Sequence, residues 1–356
     1  MLTAAGAVKL RRVYRVCRRC RLGRHSADQR LGVQGARSRQ AERMLCLAGA
    51  SWSYAQARVY LDELCGLKVS PGTVRKVCQQ EAPHIEQWQA EDPAASEKYR
   101  KTPGHIEFQT DGTCVNTTAG WKEMRVGVFA KRLPGSPATP EEWATRKLPP
   151  PGARVAFAAI EDKEAFAARW PVVASRLGIR CGAPLDVLAD GAHWIWERVD
   201  FHFAQAQGTL DVFHALEHVA QTADALYGQG SPEAQRWQGR TREVLLKEGW
   251  KGIDREISQA RLSAVRAPQR EALRKLSGYL GPQAGRLNYA QRLAEGRPIG
   301  SGMIEGACKN YLGRRLKQTG ARWLIPNANR MAALGSLVYA DQWTNYWEKP
   351  TDPHNP

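Results

Sequence analysis

Apolar positions in the middle of the chain alternate between the spacing of strands and the spacing of helices. Residues 105–112, 121–133 and 152–160 are apolar or alternating segments of strand length. The chain then continues as helix, strand, helix, strand and helix, over residues 162–178, 183–190, 191–199, 208–213 and 214–228. Three strands followed by alternating helices and strands predict an α/β domain whose mixed sheet is covered by helices on both faces.

The region after this domain pattern is helical in character. Residues 230–295 contain no convincing strand pattern and include helical segments at 232–249 and 268–280. Residues 302–318 then carry one apolar stripe at helical spacing, formed by Ile304, Cys308, Tyr311, Leu312 and Leu316. We therefore predict an all-helical region followed by an amphipathic helix that Ser301 caps.

Residues 51–80 predict two short helices around a tight turn. In the first helix, the apolar residues at helical spacing are Ala55, Val59, Tyr60 and Leu64. Gly66 ends that helix, and Ser70 and Pro71 supply the N-cap and first turn of the second. The second helix should bury Val74, Val77 and Cys78 and expose Thr73, Arg75, Lys76 and Gln79. This layout is typical of a helix-turn-helix that places its second helix in the DNA major groove, and the plainer alternative is a helical hairpin.

Charge narrows the class of partner. The formal net charge is +17, and residues 1–45 alone hold twelve Lys or Arg against two acids. Such an excess favours a polyanion, either nucleic acid or an anionic membrane surface. No apolar run approaches the roughly 18 residues that a membrane span needs, and the N-terminus does not have the order of a secretory signal. Nucleic acid is therefore the favoured partner, and we expect no membrane partner.

The eight cysteines do not suggest a disulfide framework, because most are scattered among apolar residues. Only Cys17 and Cys20 have the spacing of metal ligands, in the sequence RVCRRC. His25 is a candidate third ligand, but no fourth is evident. Zn²⁺ at Cys17 and Cys20 is therefore one hypothesis, and a reduced pair without metal is the other.

Three carboxylates stand out by position. Asp111 and Asp190 each end an apolar strand segment and each precede a glycine, where a simple turn is the alternative interpretation. Because ligand sites of α/β sheets lie at the carboxyl ends of strands, two such ends favour a shared site. Glu305 is the only acid between residues 299 and 340, in a segment rich in Lys and Arg. The alternative for Glu305 is a first-turn acid that stabilises its helix and pairs with Lys309.

Four sequence blocks are distinctive: TDGTCVNTTAGWKEMRVGVFAKR, LADGAHWIW, LDVFHALEHV and GRPIGSGMIEGACKNYLGRRLKQTGARW. They resemble successive blocks of the ISKra-type insertion-sequence transposases, relatives of the Mutator-like DDE transposases, and the resemblance runs in order over residues 9–347. It implies an RNase H-like catalytic domain with an all-helical insertion after the fifth strand. It also implies catalytic, metal-binding roles for Asp111, Asp190 and Glu305, and an accessory role for Asp211 and His214 in the DVFH signature. Relatives usually have more sequence ahead of the CRRC block, so a truncated chain is one expectation.

The resemblance also implies the reaction and its partners. Two Mg²⁺ or Mn²⁺ ions would be bound for cleavage and strand transfer of double-stranded DNA, at the element's terminal repeats and the target. We expect a homo-oligomer on DNA, in the bacterial cytoplasm at the nucleoid. Carboxylates alone would repel phosphates, so nearby cations must offset them, and the candidates are Arg314, Arg315, Lys317 and Arg322.

The predicted organisation has four parts. A basic arm with the candidate zinc knuckle spans residues 1–48, and the helix-turn-helix with its linker spans 49–103. The catalytic domain spans 104–347 with the insertion at 230–295, and 348–356 form a tail.

Two other functions fit parts of the sequence. The HALEH sequence at 214–218 satisfies the H-x-x-E-H pattern of some zinc peptidases, although such a short pattern is a weak signal. A DNA-binding derivative of a transposase without catalytic activity would retain the basic arm and the helical pair.

Overall fold

The computed structural model describes residues 1–9, 11, 13–25, 33–34 and 36–348. The side chain of His25, the candidate third zinc ligand, and the predicted tail from residue 349 onward lie outside what it describes. In the described part of the chain, no helix combines the length and apolarity needed to cross a bilayer.

The N-terminal region forms small β elements. Strands of two residues make a four-stranded sheet in the order β2-β1-β6-β5, with bounds Leu2–Thr3 (β1), Gly6–Ala7 (β2), Val33–Gln34 (β5) and Arg37–Ser38 (β6). Between them, Tyr14–Val16 (β3) and Gly23–His25 (β4) pair as an antiparallel hairpin. The tip of this hairpin carries Cys17 and Cys20.

Four helices follow, with bounds Arg39–Ser51 (α1), Tyr54–Cys65 (α2), Pro71–Glu91 (α3) and Ala94–Lys101 (α4). Gly66 ends α2 in the left-handed conformation, with φ of 63°. Ser70 caps α3 by accepting a hydrogen bond from the Thr73 amide, as the sequence predicts. Pro83 lies inside α3, which therefore continues well beyond the short helix that we expected.

The apolar residues at helical spacing in α2 do not form its buried face. Val59, Tyr60 and Leu64 are exposed, and Ala55 is exposed too. Ala57 and Leu61 face the core instead. The burial prediction for α3 is confirmed, because Val74, Val77 and Cys78 are fully or almost fully buried.

The central sheet has five strands in the order β11-β10-β7-β8-β9. The bounds are His105–Thr117 (β7), Gly120–Arg132 (β8), Ala153–Ala159 (β9), Leu185–Ala189 (β10) and Gln207–Leu210 (β11). β7, β8 and β9 are antiparallel neighbours, whereas β10 and β11 run parallel to β7. The predicted mixed α/β sheet is thus confirmed, with its first strand in the centre.

Helices cover both faces of this sheet. Lys163–Arg176 (α5) and His193–His202 (α6) pack against one face, around Phe108, Phe129 and Trp170. The opposite face, which includes Val126 and Val128, shares one hydrophobic core with α1–α4 and with the helices that follow residue 301. The predicted domain boundary near residue 103 therefore separates elements that share a core.

The region from α7 to residue 299 builds a core of its own. Its helices are Val212–Tyr227 (α7), Pro232–Glu248 (α8), Trp250–Ser263 (α9), Ala267–Leu280 (α10) and Tyr289–Ala294 (α11), with a 3₁₀ helix at Gly281–Arg286. Residues 230–295 are all described and contain no strand, as the sequence predicts.

The segment after residue 301 is helical but not regular. It runs as Gly302–Gly306 (α12), a π-helical turn at Ala307–Gly313, and Arg314–Leu316 (α13). Ile325–Tyr339 (α14) and Trp343–Trp347 (α15) complete the fold. The predicted apolar stripe is confirmed, since Ile304, Tyr311, Leu312 and Leu316 are buried. The cap prediction is wrong, because the Ser301 hydroxyl makes no hydrogen bond to the helix.

Candidate metal centre and basic surface

Asp111 and Asp190 lie on neighbouring parallel strands. Leu188 of β10 is paired with Gln109 of β7, and continuing that register by two residues brings Asp190 to the level of Asp111. Asp190 follows the last residue of β10, as predicted. Asp111, in contrast, lies in the middle of β7, because the hairpin with β8 extends that strand to Thr117. The parallel pairing with β10 ends before Asp111, so both carboxylates occupy the same edge of that pairing.

The surroundings of Asp111 oppose its negative charge. Burial raises the pKa of its carboxyl, and the neighbouring carboxylates of Asp190 and Glu123 raise it further. The Gly112 amide donates to Asp111 Oδ1 at 2.6 Å and, like the nearby imidazole of His214, acts in the opposite direction on the pKa. Asp190 Oδ1 accepts from the Ala192 amide at 3.0 Å.

Two contacts bring Glu305 toward these residues, although it lies far from them in sequence. The buried Gln109 side chain accepts a hydrogen bond from the Ile304 amide at 3.0 Å, which fixes the start of α12 on β7. Three residues after Glu305, the Cys308 Sγ atom lies 3.9 Å from Asp111 Oδ2. Burial raises the pKa of the Cys308 thiol to about 12, and the charges of Asp111 and Glu305 act in the same direction.

The three predicted carboxylates lack positive partners. In the described part of the chain, no Lys, Arg or His nitrogen lies within 4.0 Å of a carboxylate oxygen of Asp111 or Asp190 in an ion pair, and Glu305 has no such ion pair with Lys or Arg. The predicted pair of Glu305 with Lys309 is likewise not formed. The charge of Asp190 raises the pKa of Asp111, and a cation bound between these two carboxylates would relieve that repulsion.

Asp211 is held more rigidly than the other acids. It is fully buried, and it caps α7 by accepting from the His214 amide at 2.9 Å. Its Oδ2 accepts from both the amide and the hydroxyl of Ser301, the latter at 2.7 Å. This explains why Ser301 does not cap its own helix, and it ties the start of α12 to the end of β11.

Asp211, His214 and Glu305 form a group that could hold a metal ion. One ligand atom from each lies within 4.8 Å of the others. Asp211 is buried, His214 half-buried and Glu305 exposed, so the group opens to solvent on one side. The group unites a predicted triad member with both predicted accessory residues.

The helical region supplies a side chain next to Asp190. The Gly191 amide donates to the Tyr279 hydroxyl at 3.1 Å, and the Tyr279 ring stacks on His218 with centroids 3.7 Å apart. Burial raises the pKa of Tyr279 to about 12. In the HALEH sequence, His218 thus lies against a tyrosine, and the metal-competent group in the described residues contains His214 without His218.

The basic residues of the final segment divide into two kinds. Arg314, Lys317 and Arg322 are exposed, and the Lys317 ammonium donates to Thr113, two residues beyond Asp111 on β7. Since residues two apart on a strand share a face, this cation lies on the same face as Asp111. Arg322 reaches the carbonyls of Thr117 and Thr118.

The prediction that Arg315 faces DNA phosphates is not supported by its position. Arg315 is 5% exposed and its Nε donates to the Gly49 carbonyl at 2.6 Å. Its guanidinium lies over the rings of Tyr54 and Trp323, at 4.5 and 4.7 Å from their centroids. Burial lowers the pKa of this side chain. The sequence does not show which of Arg314 and Arg315 is buried. Adjacent residues of a helix point in different directions, and this helix is too short for its pattern to reveal the buried face.

The outer face of α3 presents the residues expected of a recognition helix. Arg75 and Lys76 are exposed, and Thr73 is half-buried with its hydroxyl 3.0 Å from that of Ser70. The helix start is therefore well fixed while its cations remain accessible.

Cys17 and Cys20 lie in a tight turn at the tip of the hairpin. The Arg21 amide donates to the Cys17 carbonyl at 2.9 Å, and Arg21 adopts a positive φ of 59°. Backbone amides of Cys20 and Arg19 lower the pKa of the Cys17 thiol, which favours the thiolate that binds metal. Both cysteines are exposed, and in the described residues they belong to no metal-competent group of three.

The chain matches no protein-family model, and no curated protein matches its sequence at a significant level. The family resemblance of the motifs therefore stays a prediction from the sequence.

Proposed function

We propose that this protein is a DDE-type transposase, which cleaves and joins DNA strands with the help of divalent metal ions. The observation that carries the proposal is the proximity of the Asp111 and Asp190 carboxylates at the ends of paired strands, with the helix that carries Glu305 held on β7 beside them by Gln109. A carboxylate with a purely structural role is usually paired with a cation or accepts from several amides, as Asp211 accepts from the amides of His214 and Ser301. A divalent ion instead needs carboxylate oxygens that no cationic side chain already occupies.

The architecture supports an RNase H-like assignment for the catalytic domain. The first strand is central, an antiparallel hairpin continues to one edge, and two parallel strands extend to the other. The helical region enters between β11 and the helix that carries Glu305, which is where the resemblance to the ISKra-type family places an insertion.

The residues present fit Mg²⁺ or Mn²⁺. Both ions take carboxylate oxygens, which Asp111 and Asp190 offer at the ends of paired strands and Glu305 offers from the helix anchored on β7. Burial and like charge raise the pKa of Asp111, so an ion there would relieve an existing repulsion. When bound, two such ions activate water or a terminal hydroxyl and stabilise the leaving oxygen of a phosphodiester.

The side chains around the carboxylates have separate tasks. Gln109 holds α12 on β7, so that Glu305 is presented to Asp111 through a short, buried link. Lys317, on the same face as Asp111, and the exposed Arg314 and Arg322 would bind DNA phosphates next to the carboxylates. Arg75 and Lys76 on α3 would contact the major groove of the terminal repeats, where groove-facing side chains give sequence specificity.

The test is strand cleavage of DNA that carries the element ends, in Mg²⁺. We expect Asp111→Asn, Asp190→Asn and Glu305→Gln each to abolish cleavage while DNA affinity stays equal or rises, because each change removes negative charge near phosphates. The matched control is Glu217→Gln, an exposed acid of α7, which should keep wild-type cleavage. Nicking by Glu305→Gln at the wild-type rate would overturn the proposal.

A further inference from the structure

We propose that Asp211, His214 and Glu305 form a metal position of their own, which prefers Mn²⁺ or another transition metal ion to Mg²⁺. The chemical class follows from the donors, two carboxylate oxygens and one imidazole nitrogen, within 4.8 Å of one another. The inference deepens the proposed function, and only its consequence for catalysis rests on that function.

This group is distinct from the Asp111 and Asp190 carboxylates. In the described residues it is the one set of three His, Cys, Asp or Glu ligand atoms that lies so close together, and it includes neither of those two acids. Glu305 belongs to both sets of residues, and His214 lies near enough to Asp111 to lower its pKa. The group with Glu305 therefore includes a nitrogen donor, whereas Asp111 and Asp190 offer oxygen donors only.

The ligands are already positioned. Asp211 Oδ1 accepts one hydrogen bond, from the His214 amide, so one of its two lone pairs stays available for a metal. The bonds from Ser301 to Oδ2 are the kind of outer contacts that orient a metal-bound carboxylate. Asp211 and His214 also lie on the same first turn of α7, so the helix itself fixes their separation.

The preference follows from ligand chemistry. Mg²⁺ favours oxygen ligands and retains water, whereas imidazole nitrogen suits later first-row ions. For one mixed site, affinity rises from Mn²⁺ toward Cu²⁺ in the usual order of divalent ions. Because His214 is one of its three ligands, this position should favour Mn²⁺, Co²⁺ or Zn²⁺ over Mg²⁺ more than a site of oxygen ligands alone would.

The experiment measures Mn²⁺ binding by electron paramagnetic resonance, independently of any DNA reaction. It uses the full chain with Asp111→Asn and Asp190→Asn, so that only the proposed position keeps its ligands. We expect one bound Mn²⁺, hyperfine coupling to an imidazole nitrogen, and displacement by Mg²⁺ only at a large excess.

Three variants on this background make the test specific. His214→Gln should abolish the nitrogen coupling and weaken Mn²⁺ binding by at least about tenfold, the effect that even an outer-shell change produces. His214→Asp should restore binding without nitrogen coupling and let Mg²⁺ compete far better. His218→Gln, one turn further along the same helix, is the matched control and should leave both readouts unchanged. The His214 side chain makes no hydrogen bond in the described structure, so these changes should preserve the fold, which circular dichroism can verify.

Two results would overturn the inference. One is Mn²⁺ bound without nitrogen coupling, and the other is equal Mn²⁺ affinity in the His214→Gln variant. If this happened while the single Asp111→Asn change still abolished cleavage by the otherwise intact chain, the proposed function would stand without the nitrogen ligand. If Mn²⁺ bound as expected but no DNA were cleaved with any metal, the metal position would stand and the proposed function would fall.

Discussion

At the scale of single residues, Asp111 is a carboxyl whose surroundings make its negative charge unfavourable. Burial raises its pKa, and the charges of Asp190 and Glu123 add to that effect. A carboxyl with a raised pKa binds its proton more tightly in the folded chain than in the unfolded chain. The folded state therefore loses stability as the pH rises from the ordinary Asp value of about 3.9 through the raised value. At a pH above this range, Asp111 should therefore cost stability unless a cation is bound.

This sign gives a prediction for Asp111→Asn. Without divalent ions, the variant should melt at a higher temperature than the wild type at neutral pH, because the uncharged amide avoids the repulsion. The difference should vanish as the pH falls well below the ordinary Asp value of about 3.9, where Asp111 is protonated in both states. Added Mg²⁺ should raise the melting temperature of the wild type more than that of the variant. Scanning calorimetry in chelator and in Mg²⁺ measures all three effects. A variant that melts lower at neutral pH would contradict the reasoning.

The residues that hold the candidate site in place are harder to predict than its candidate metal ligands. Asp111, Asp190 and Glu305 could be selected because strand ends and an isolated acid leave a pattern in the sequence. Gln109 and Ser301 leave none, since their partners lie 195 and 90 residues away. A buried glutamine in a strand and a serine before a helix have many ordinary explanations, so only the folded chain reveals these contacts.

At the scale of elements, the segment after residue 301 shows that adjacent cations can have opposite roles. In α13, Arg314 is exposed, whereas the Arg315 guanidinium lies over two aromatic rings and donates to the Gly49 carbonyl. Arg315 thereby joins α13 to the helices before the sheet. Arg315 is therefore part of the core of the fold. Its removal would leave the Gly49 carbonyl without this hydrogen-bond donor.

The two neighbours should respond differently to the same substitution. Arg315→Ala should lower the free energy of unfolding by about 2–4 kcal/mol, through lost aromatic contacts and an unsatisfied carbonyl. Arg314→Ala should leave stability within about 0.5 kcal/mol, and it should weaken DNA binding with a salt slope reduced by about one. Urea denaturation and DNA titrations at several salt concentrations give the two readouts. If Arg314→Ala were the more destabilising variant, the two side chains would have been assigned to the wrong faces.

The sequence predicts well which strands and helices form. It does not always predict which face of a helix is buried or how long the helix is. All five strands of the central sheet were expected, because each is a compact apolar segment between turn residues. The buried face of α2 could not be predicted, since Val59, Tyr60 and Leu64 form an apolar stripe that the fold leaves exposed. α3 continues through Pro83 because its buried residues on both sides of that proline belong to one core, which α14 shares, and this packing outweighs the local cost of proline.

At the scale of the whole molecule, a buried charge cluster joins the helical region to the sheet. Asp186 in β10 is 3% exposed, and its Oδ1 lies 2.6 Å from Nη1 of Arg292, which is fully buried. Arg297 donates to both oxygens of the same carboxylate, at 2.9 and 3.0 Å. These ion pairs tie α11 and the chain after it to β10, the strand that directly precedes Asp190. The inserted helices should fold and unfold together with the sheet.

Asp186→Asn tests this coupling. The substitution leaves the fully buried Arg292 without its counter-charge, so it should lower the free energy of unfolding by about 3–5 kcal/mol. Adding Arg292→Met should recover part of that loss, because the second change removes the stranded charge. The control is Glu271→Gln, whose partner Arg274 is exposed on α10, and it should change stability by about 1 kcal/mol or less. Urea denaturation followed by tryptophan fluorescence and by circular dichroism should give coincident transitions in every variant. Two separate transitions in Asp186→Asn would instead mean that the helical region folds on its own, and that this cluster only docks it beside the candidate metal centre.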